Sequence, residues 1–577
     1  MTISEAEAVR APGTIQAAAA DARPRSDVGT VILHWVAAIA MIASLLTGLR
    51  IAADAPFAPV AAWLSPVLPQ GQIWTWHFAA GLTVLATIPA YTLYIICGRL
   101  ARRNDYKRLR ALTLPTAPRV KWAAVNIALH WLLYLLIAGL AVSGFFLYLG
   151  HSGWWVTFHR TTAWLTLVYI VAHVLGHYLY GGLWQLLRIL RPQELQTRMG
   201  RGHPLLLASI AGSFVAAAFF LGDLGTRPLL IAPQVSDDPI LDGVLDDPAW
   251  AEARPVRVLT QQGENLENRE SMVEIRAVRF GEDIVFAFRW QDSSRSLMRM
   301  PLQKREDGWH VLQDGGGTAD VMTYYEDKFS VLFTTGDEYG SGNTTFLGKK
   351  PLPDRPGALN SRGLHYTTDG SYHDLWQWKA SRGGLLGHVD DMHIGPPLEP
   401  TPEQRAGKER YSAGYTSDPG TASYVYNYRT KQPNDFSGPV EVLRLPSKLA
   451  ATLARMKDVP ASPGESVPEG AVWWMTQADS LPYSPEQDSA IPVGTIIPSV
   501  LHLMPYEGDR ADIAGAARWD NGWWTLEARR KLDSGSKYDA AFLPGTQLYL
   551  WVAVFDHNQV RHTRHARPVT LVIPEAE

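Results

Sequence analysis

Five long apolar segments in the first 225 residues constrain the fold of this 577-residue chain more than any other feature. A bilayer-spanning helix needs about 20 consecutive apolar residues, and each segment is close to that length or longer. The remainder is polar and punctuated by proline and glycine, so we predict a membrane part followed by a large domain outside it. The segments are residues 28–49, 73–97, 122–149, 161–187 and 204–222.

The basic residues between these segments predict their orientation. Residues 98–121 contain eight Lys and Arg and residues 188–201 contain four, whereas the connections at 50–72 and 150–158 contain only Arg50. Because cytoplasmic loops carry the excess of basic residues, we expect a cytoplasmic amino terminus and an uncleaved first helix. In a Gram-negative bacterium this predicts a multi-pass inner-membrane protein with its carboxyl-terminal part in the periplasm.

Six histidines lie within or at the ends of the first four apolar segments: His34, His77, His130, His159, His173 and His177. An ionisable side chain at membrane depth is costly and marks a functional site by default. A single membrane histidine is also explained by a helix–helix hydrogen bond. Neutral imidazole is a common axial ligand of haem iron, and six histidines on four helices favour haem ligation.

An internal repeat indicates two haems rather than one. The Leu-His-Trp run at His34 recurs at His130, and in each copy a glycine, Gly48 or Gly144, follows the histidine by fourteen residues. Fourteen helical residues span about 21 Å and nearly four whole turns, so each histidine shares a helix face with its glycine at another depth. A glycine lets a flat macrocycle approach the backbone, which predicts two stacked haems.

The order of the helices pairs the ligands. Helices 2 and 4 begin on the same side, so His77 and His159 share one layer, which we call the outer layer. His34 begins helix 1 on the cytoplasmic side and is level with His173, fourteen residues after His159. We predict an outer haem on His77 and His159 and an inner haem on His34 and His173. Two further histidines fall near the inner layer and are candidates for haem-propionate or quinone contacts, or for replacing that pair: His130 and His177.

Residues 26–190 resemble the bacterial di-haem cytochrome b561 family, related to the cytochrome b subunit of nickel-iron hydrogenases. The family pattern has an early His-Trp in helix 1, one His opening helix 2 and two His fourteen apart in helix 4. This chain supplies all four, at His34, His77, His159 and His173. The resemblance implies b-type haems and electron exchange with a membrane quinone. Covalent haem attachment is excluded because the only cysteine is Cys97 and no C-x-x-C-H run occurs.

From about residue 227 the apolar residues alternate with polar ones, as in β-strands. Residues 272–280 and 284–290 flank a turn at Gly281 and predict a hairpin. Further strands are predicted at 327–333, 523–528 and 548–555, and a short helix at 445–456 with Pro446 in its first turn. Many short strands separated by turn residues indicate a β-sandwich.

Residues 230–575 resemble two related groups of β-sandwich proteins. The run from Ile240 to Trp250 is similar to the entry of family-nine carbohydrate-binding modules and of the haem-binding gamma subunit of ethylbenzene dehydrogenase. Later motifs favour the latter: Tyr325-Glu326-Asp327-Lys328, the Trp-x-Trp-Lys run ending at Lys379, and the strand ending at Asp556. The resemblance implies a b-type haem in an extracytoplasmic sandwich that passes single electrons.

This chain departs from that family at the expected haem ligands. The family uses Met, shortly before the Trp-x-Trp-Lys motif, and Lys, after the last core strand. This chain has His365 at the first place and both His562 and His565 at the second, with no lysine. We predict a bis-histidine haem on His365 and His565, with His562 as the alternative. The competing explanation is that these are exposed loop histidines, and the other candidate ligands are Met272, Met392 and His393.

The predicted organisation is a cytoplasmic tail (1–27), a four-helix membrane cytochrome b domain (28–190), a loop with a fifth membrane helix (191–227) and a periplasmic β-sandwich (228–577). Nothing indicates nucleic-acid binding at a net charge of −3, and no catalytic residue set is recognisable. The leading hypothesis is an electron-transfer cytochrome that links membrane quinone, through three b-type haems, to a periplasmic redox partner. The alternatives are a quinone-linked oxidase of a small oxidant such as superoxide, and a periplasmic ligand- or sugar-binding module on a cytochrome anchor.

Overall fold

The structure is a computed structural model that describes residues 23–53, 59–194, 203–341, 344–360, 362–432, 435–457 and 464–575. Its contacts divide the chain into two compact units. The helix unit contains the chain up to Ala43 together with Ala79–Val142 and His159–Gly222. The β unit contains Ser44–Phe78, Ser143–Phe158 and Asp223–Glu577, so it includes one end of several helices.

Five helices in the described residues are long and apolar enough to cross a membrane. They are α1 (Val28–Ala52), α2 (Ile73–Cys97), α3 (Pro118–Tyr148), α4 (Trp154–Leu186) and α5 (Pro204–Thr226). Each corresponds to one predicted segment; α2 has the predicted bounds, and each of the other four helices is longer than its segment by a few residues. These extensions are unsurprising because interfacial residues are less apolar than the bilayer centre.

Near its end, α4 is interrupted at two adjacent glycines. Gly181 and Gly182 have non-helical backbone angles, and Gly182 has a φ of 67°, a conformation that favours glycine. All of the α4 histidines precede this kink, so they lie on one continuous helical stretch.

The remaining chain forms a twelve-stranded main sheet. Its strands are β1 (Leu229–Ile231), β2 (Val256–Gln261), β3 (Glu270–Phe280), β4 (Asp283–Gln291), β5 (Lys328–Thr334), β6 (His373–Lys379), β7 (His388–Ile394), β8 (Tyr415–Ser417), β9 (Ile513–Asp520), β10 (Trp523–Lys531), β11 (Gln547–Phe555) and β12 (Val569–Val572). They are hydrogen-bonded in the order β1-β12-β11-β5-β6-β7-β9-β10-β4-β3-β2, and β8 pairs with β7.

The sheet folds over at β7, which pairs with β6 along most of its length and with β9 at its start. Side chains of strands that are not neighbours in the sheet therefore meet. The Phe286 ring on β4 lies 5.3 Å from that of Phe333 on β5, and the Trp290 ring lies 4.6 Å from that of Phe329. Two layers packed face to face around an aromatic core confirm the predicted β-sandwich.

The predicted hairpin is β3 and β4, in which Phe280 pairs with Asp283. Gly281 in the turn has a φ of 58°, which explains the glycine there. One local prediction is wrong: Pro446 does not open a helix. Arg444–Pro446 is a short strand paired with Ser480–Pro482, and the helix runs only from Leu449 to Met456.

Candidate haem sites

Four of the six membrane histidines come together in the helix unit. His34 lies on α1, His130 on α3, and His173 and His177 on α4. The ring centre of His173 is 6.4 Å from that of His34, 5.7 Å from that of His130 and 4.7 Å from that of His177. These four residues form the inner histidine cluster.

The predicted inner pair has a ring separation close to that of two histidines on one metal ion. Imidazole nitrogens bind metal ions at about 2 Å, and each ring centre lies about 1 Å behind the nitrogen, so two rings on one iron have centres about 6 Å apart. The ring centres of His34 and His173 are 6.4 Å apart, with ring planes at 26° to each other. The assignment of this pair to one haem stays a prediction.

The other two members of the inner cluster have different surroundings. His130 donates its Nδ1 proton to the carbonyl of Asn126 at 2.6 Å, one helical turn earlier. The His177 Nδ1 atom is buried and has no hydrogen-bond partner among the residues that the structure describes. The Tyr169 hydroxyl lies 3.3 Å from the His173 Nδ1 atom and helps to set the orientation of that ring. His130 and His177 thus lie beside the inner pair, as predicted, and remain candidates for contacts with a propionate or a quinone.

His77, the predicted outer ligand, is oriented by residues of α1. Its Nδ1 lies 3.1 Å from the carbonyl of Ser44 and 3.0 Å from the hydroxyl of Thr47. A ring that donates from Nδ1 to a backbone carbonyl presents an unprotonated Nε2, which is the form that binds metals. A Cβ added at Gly48 would lie 3.2 Å from the His77 ring. Gly48 on α1 therefore lies at the depth of His77, the predicted outer-layer histidine. The spacing of fourteen residues between His34 and Gly48 predicts this. The pairing of His77 with His159, and the role of Gly144, stay predictions.

Close to His77, within the β unit, membrane-helix ends contact β residues. The buried Arg50 side chain donates to carbonyl oxygens of Leu68, at 2.8 Å, and Pro69, at 2.9 Å, and reaches the Leu347 carbonyl at 3.4 Å. Gln70 donates to the same Leu347 oxygen at 2.7 Å. The sequence gives no sign that Arg50 is structural, although it is the only basic residue in its connection.

A second contact joins α2 to Tyr339, which precedes Leu347 in the chain. The Phe78 ring, one residue after His77, lies 5.0 Å from the Tyr339 ring. Thr345–Phe346, just before Leu347, pairs with Leu364–His365. His365, a predicted ligand, therefore pairs with the strand that directly precedes Leu347, the residue that Arg50 and Gln70 contact.

The structure favours His562 over His565 as the partner of His365. His565 is buried, its Nδ1 proton is donated to the carbonyl of Arg567 at 2.6 Å, and its Nε2 accepts the Val552 N–H at 3.0 Å. In this conformation both ring nitrogens are engaged by backbone groups, and burial lowers the pKa of His565 to about 4. These are the properties of a structural histidine, and the assignment of His565 as a ligand stays a prediction.

His562 has the properties expected of a ligand. Its Nδ1 bonds to the carbonyl of Thr563 at 2.7 Å, which leaves Nε2 as the free nitrogen. Burial, the charge of Arg362 and the nearby His365 lower the pKa of His562 well below its usual range, so the ring is neutral, as metal binding requires. His365 is thus close to His562, and its Nδ1 is 3.4 Å from the Thr345 hydroxyl.

The alternative ligands are less suitable. Met272 lies on β3, half-buried and paired with Leu259. The Met392 sulfur lies 4.0 Å from Lys379 Nζ, a Met–Lys pair like the family's, but Asp390 raises the pKa of Lys379 despite its burial and keeps the ammonium protonated. His393 bonds to the buried Asp418 at 2.5 Å and lines a cavity of about 200 Å³ with Tyr372 and Tyr538.

One possible ligand is not predicted from the sequence although it ends a motif noted there. Lys328 opens β5, donates to the carbonyl of Gln559 at 2.6 Å and lies 3.9 Å from the centre of the Phe555 ring. Burial and the positive charge of Arg382 lower the pKa of Lys328 well below its usual range, which favours the neutral amine that a metal ligand needs. The His562 ring is 4.8 Å from the same Phe555 ring. The sequence signal that could have identified Lys328 is a lysine as the first residue of a largely apolar strand.

Apolar helices with paired histidines, followed by a β-sandwich, define a multi-pass membrane cytochrome of the b type with a large extramembrane domain. Comparison with protein families agrees. The chain belongs to the family described as ethylbenzene dehydrogenase, which matches residues 247–567, and residues 25–192 match prokaryotic cytochrome b561. Both predicted resemblances are confirmed.

Solved structures similar to the chain include two of a family 9 carbohydrate-binding module from Caldicellulosiruptor kristjanssonii. The complex with glucose is 7% identical, covering 60% of this chain and 97% of that one with a TM-score of 0.22. The complex with cellotriose is 8% identical, covering 60% and 94% with a TM-score of 0.21. A putative carbohydrate-binding protein from Bacteroides uniformis is 6% identical, covering 61% and 94% with a TM-score of 0.23. No curated protein matches the chain.

Proposed function

We propose that this protein passes single electrons between the membrane quinone pool and a redox protein on the other side of the membrane from its amino terminus. The route runs from His34 and His173, through His77 and His159, to His365 and His562. Haem b, when bound, supplies an iron that accepts and releases one electron at a time. The observation that carries the proposal is the packing of the His77 end of α2 against the β segment next to His365.

The inner histidines support the first step of this route. His34 and His173 have the ring separation of two axial ligands. His130 and His177 lie beside them, with the His177 Nδ1 atom buried and unpartnered. A quinone carbonyl or a haem propionate is the kind of group that would satisfy that nitrogen. The inner cluster can therefore hold a haem and contact a second polar group.

The β unit supports the second step. His77 and Phe78 lie at one end of α2, Phe78 contacts Tyr339, and Gln70 donates to the Leu347 carbonyl. Leu347 directly follows the strand that pairs with His365. His77 and His365, each proposed to hold a haem, are then linked through a few packed side chains and one strand pair. This packing would fix the position of one residue relative to the other.

The third element of the proposal is orientation. The basic loops at 98–121 and 188–201 are expected on the cytoplasmic side, and this expectation supports a periplasmic β-sandwich in a Gram-negative bacterium. A periplasmic redox protein would then be the partner. The direction of electron flow depends on the haem potentials, so the proposal covers both directions.

The test uses the full chain purified in detergent. Haem content should be three per chain, and a soluble ubiquinol analogue should reduce all three. In His77→Ala, the quinol should still reduce the inner haem but should no longer reduce the β-domain haem at the wild-type rate, while dithionite should reduce both. His203→Ala, which changes an exposed histidine at the start of α5, is the matched control and should behave as wild type.

Two results would contradict the proposal. Wild-type reduction of the β-domain haem without His77 would show that electrons do not pass through the outer layer. A β-domain without haem would leave a membrane cytochrome and would favour the ligand-binding alternative.

A further inference from the structure

Three buried carboxyl groups meet at one end of the β-sandwich. Asp292 follows the last residue of β4, Asp327 precedes the first residue of β5, and Asp556 follows the last residue of β11. Each is at most 1% exposed. β5 and β11 are neighbours in one layer and β4 belongs to the other, so the two layers jointly build this cluster, which we call the Asp292 cluster.

The carboxylates are held close together. One ligand atom each from Asp327, Asp556 and His557 lie within 4.8 Å of one another. The Ser294 hydroxyl bridges two of the acids, at 3.2 Å from Asp556 Oδ1 and 3.5 Å from Asp292 Oδ1. Ser294 therefore links Asp292 to Asp556, which in turn lies beside Asp327.

The carboxyl groups of this cluster outnumber its cationic partners. Among the described residues, no Lys or Arg forms an ion pair with any of the three acids, and only His557, which bonds to Asp556, offers a positive charge. Burying a carboxylate without a counter-charge costs several kcal/mol. Moreover, within the described part of the chain, the Oδ2 atoms of Asp292 and Asp556 are buried without any hydrogen-bond partner. Such atoms require an explanation such as a bound ion.

A second acidic cluster in the same domain shows how the protein neutralises carboxylates with its own cation. There the fully buried Arg530 is 2.7 Å from Asp374, 3.1 Å from Asp539 and 3.7 Å from Asp391. The Asp292 cluster has a similar number of acids but no arginine at its centre. The two clusters thus differ in the source of the balancing charge.

We propose that Asp292, Asp327 and Asp556 bind a divalent cation that prefers oxygen ligands, with Ca²⁺ as the best match. Carboxylate oxygens and a hydroxyl are hard donors of the type that Ca²⁺ takes in proteins. Asp327 already accepts N–H groups from Ser296, at 2.7 Å, and Trp524, at 3.1 Å, which fix its orientation. The unpartnered oxygens of the other two acids complete the donor set.

The bound cation would fix the start of a segment that carries a proposed haem ligand. Asp556 begins the connection between β11 and β12, and His562 lies six residues later. A cation that ties Asp556 to Asp292 and Asp327 joins this connection to both layers of the sandwich. The site is independent of the electron-transfer proposal, because it requires only the fold.

The experiment uses the full chain in detergent, freed of metal with EGTA. Equilibration with about 1 mM Ca²⁺, followed by removal of free ion, should leave about one Ca²⁺ per chain by elemental analysis. The ion should raise the unfolding midpoint by about 5 °C. Asp292→Asn and Asp556→Asn should each weaken Ca²⁺ binding at least tenfold. The matched control is Asp520→Asn, an exposed carboxylate on β9, which should bind as wild type.

Terbium provides a second measurement that does not depend on the acidic variants folding. Because the Trp524 indole lies 3.1 Å from Asp327, Tb³⁺ in the site should emit on tryptophan excitation, and Ca²⁺ should displace it. Trp524→Phe should reduce the emission per bound Tb³⁺ ion. The inference would be overturned by a wild-type chain that retains no Ca²⁺, by undiminished Ca²⁺ binding in both acidic variants, or by undiminished emission in Trp524→Phe.

Discussion

Replacing the two neighbouring histidines of the β11–β12 connection should have opposite effects on haem and on stability. His565→Ala removes two hydrogen bonds in a buried position, to the Arg567 carbonyl and from the Val552 N–H. Each backbone group left without a partner costs about 1–3 kcal/mol, so we expect a loss of about 4 kcal/mol in the free energy of unfolding. The β-domain haem should nevertheless retain its six-coordinate, low-spin spectrum.

His562→Gly should show the reverse behaviour. Its one hydrogen bond, to the carbonyl of the adjacent Thr563, is worth only about 1 kcal/mol. Removing the ring, however, would remove an axial ligand. We therefore expect a high-spin or haem-free β-domain beside unchanged membrane haems, and added imidazole should restore the low-spin spectrum by occupying the vacated ligand position.

The assay combines pyridine haemochrome analysis, low-temperature electron paramagnetic resonance and guanidinium unfolding followed by tryptophan fluorescence. Stability must be compared at equal haem occupancy, because bound haem itself stabilises the folded state. The reasoning fails if His565→Ala loses the β-domain haem and recovers it with imidazole, or if His562→Gly keeps a normal spectrum. The first result would restore the original pairing of His365 with His565.

Three further predictions address the membrane part and the pH dependence. His173→Ala should remove one haem equivalent and leave the signal of the haem at His77 intact; loss of both signals from a folded protein would contradict the two-layer arrangement. A reporter active only outside the cytoplasm should work when fused after Glu577 and fail when inserted near Tyr106, and the opposite result would reverse the orientation. Burial and neighbouring carboxylates raise the pKa of Asp539 to about 7, so its folded form holds a proton that the unfolded chain loses near pH 4. Its contribution to stability should therefore fall as the pH rises from about 4 to 7, and Asp539→Asn should gain stability relative to wild type over that range in urea unfolding; an equal difference at pH 4 and pH 8 would be inconsistent with this shift.

The membrane helices could be predicted from the sequence because their signal is local. A helix that crosses a bilayer must satisfy its backbone internally and present about 20 apolar residues to lipid, whatever its neighbours are. The hairpin at Gly281 is equally local, since alternation sets the strands and the glycine sets the turn. Pro446 was misplaced because the short strand that holds it depends on Ser480–Pro482, more than thirty residues away.

The membrane histidines were partly predictable for a geometric reason. Depth along a helix follows from residue number at a fixed rise per residue, so residue numbers and helix order alone place His34 level with His173. Their 6.4 Å ring separation depends on how α1 packs against α4, which no spacing specifies. The crowding of His130 and His177 around the same ring is likewise a result of packing.

In the β-sandwich, the sequence by itself determined that the domain is built of alternating strands, and it predicts haem ligands among a few histidines. Only the tertiary structure decided which ring nitrogens the protein itself engages, because the Val552 N–H that His565 accepts belongs to β11 and reaches it across the connection. The Asp292 cluster has the same origin: its three acids are far apart in the chain and meet because two layers end at the same place. Local sequence pattern determines a secondary-structure element. Whether a side-chain atom is available to bind a ligand depends on partners that only folding brings to it.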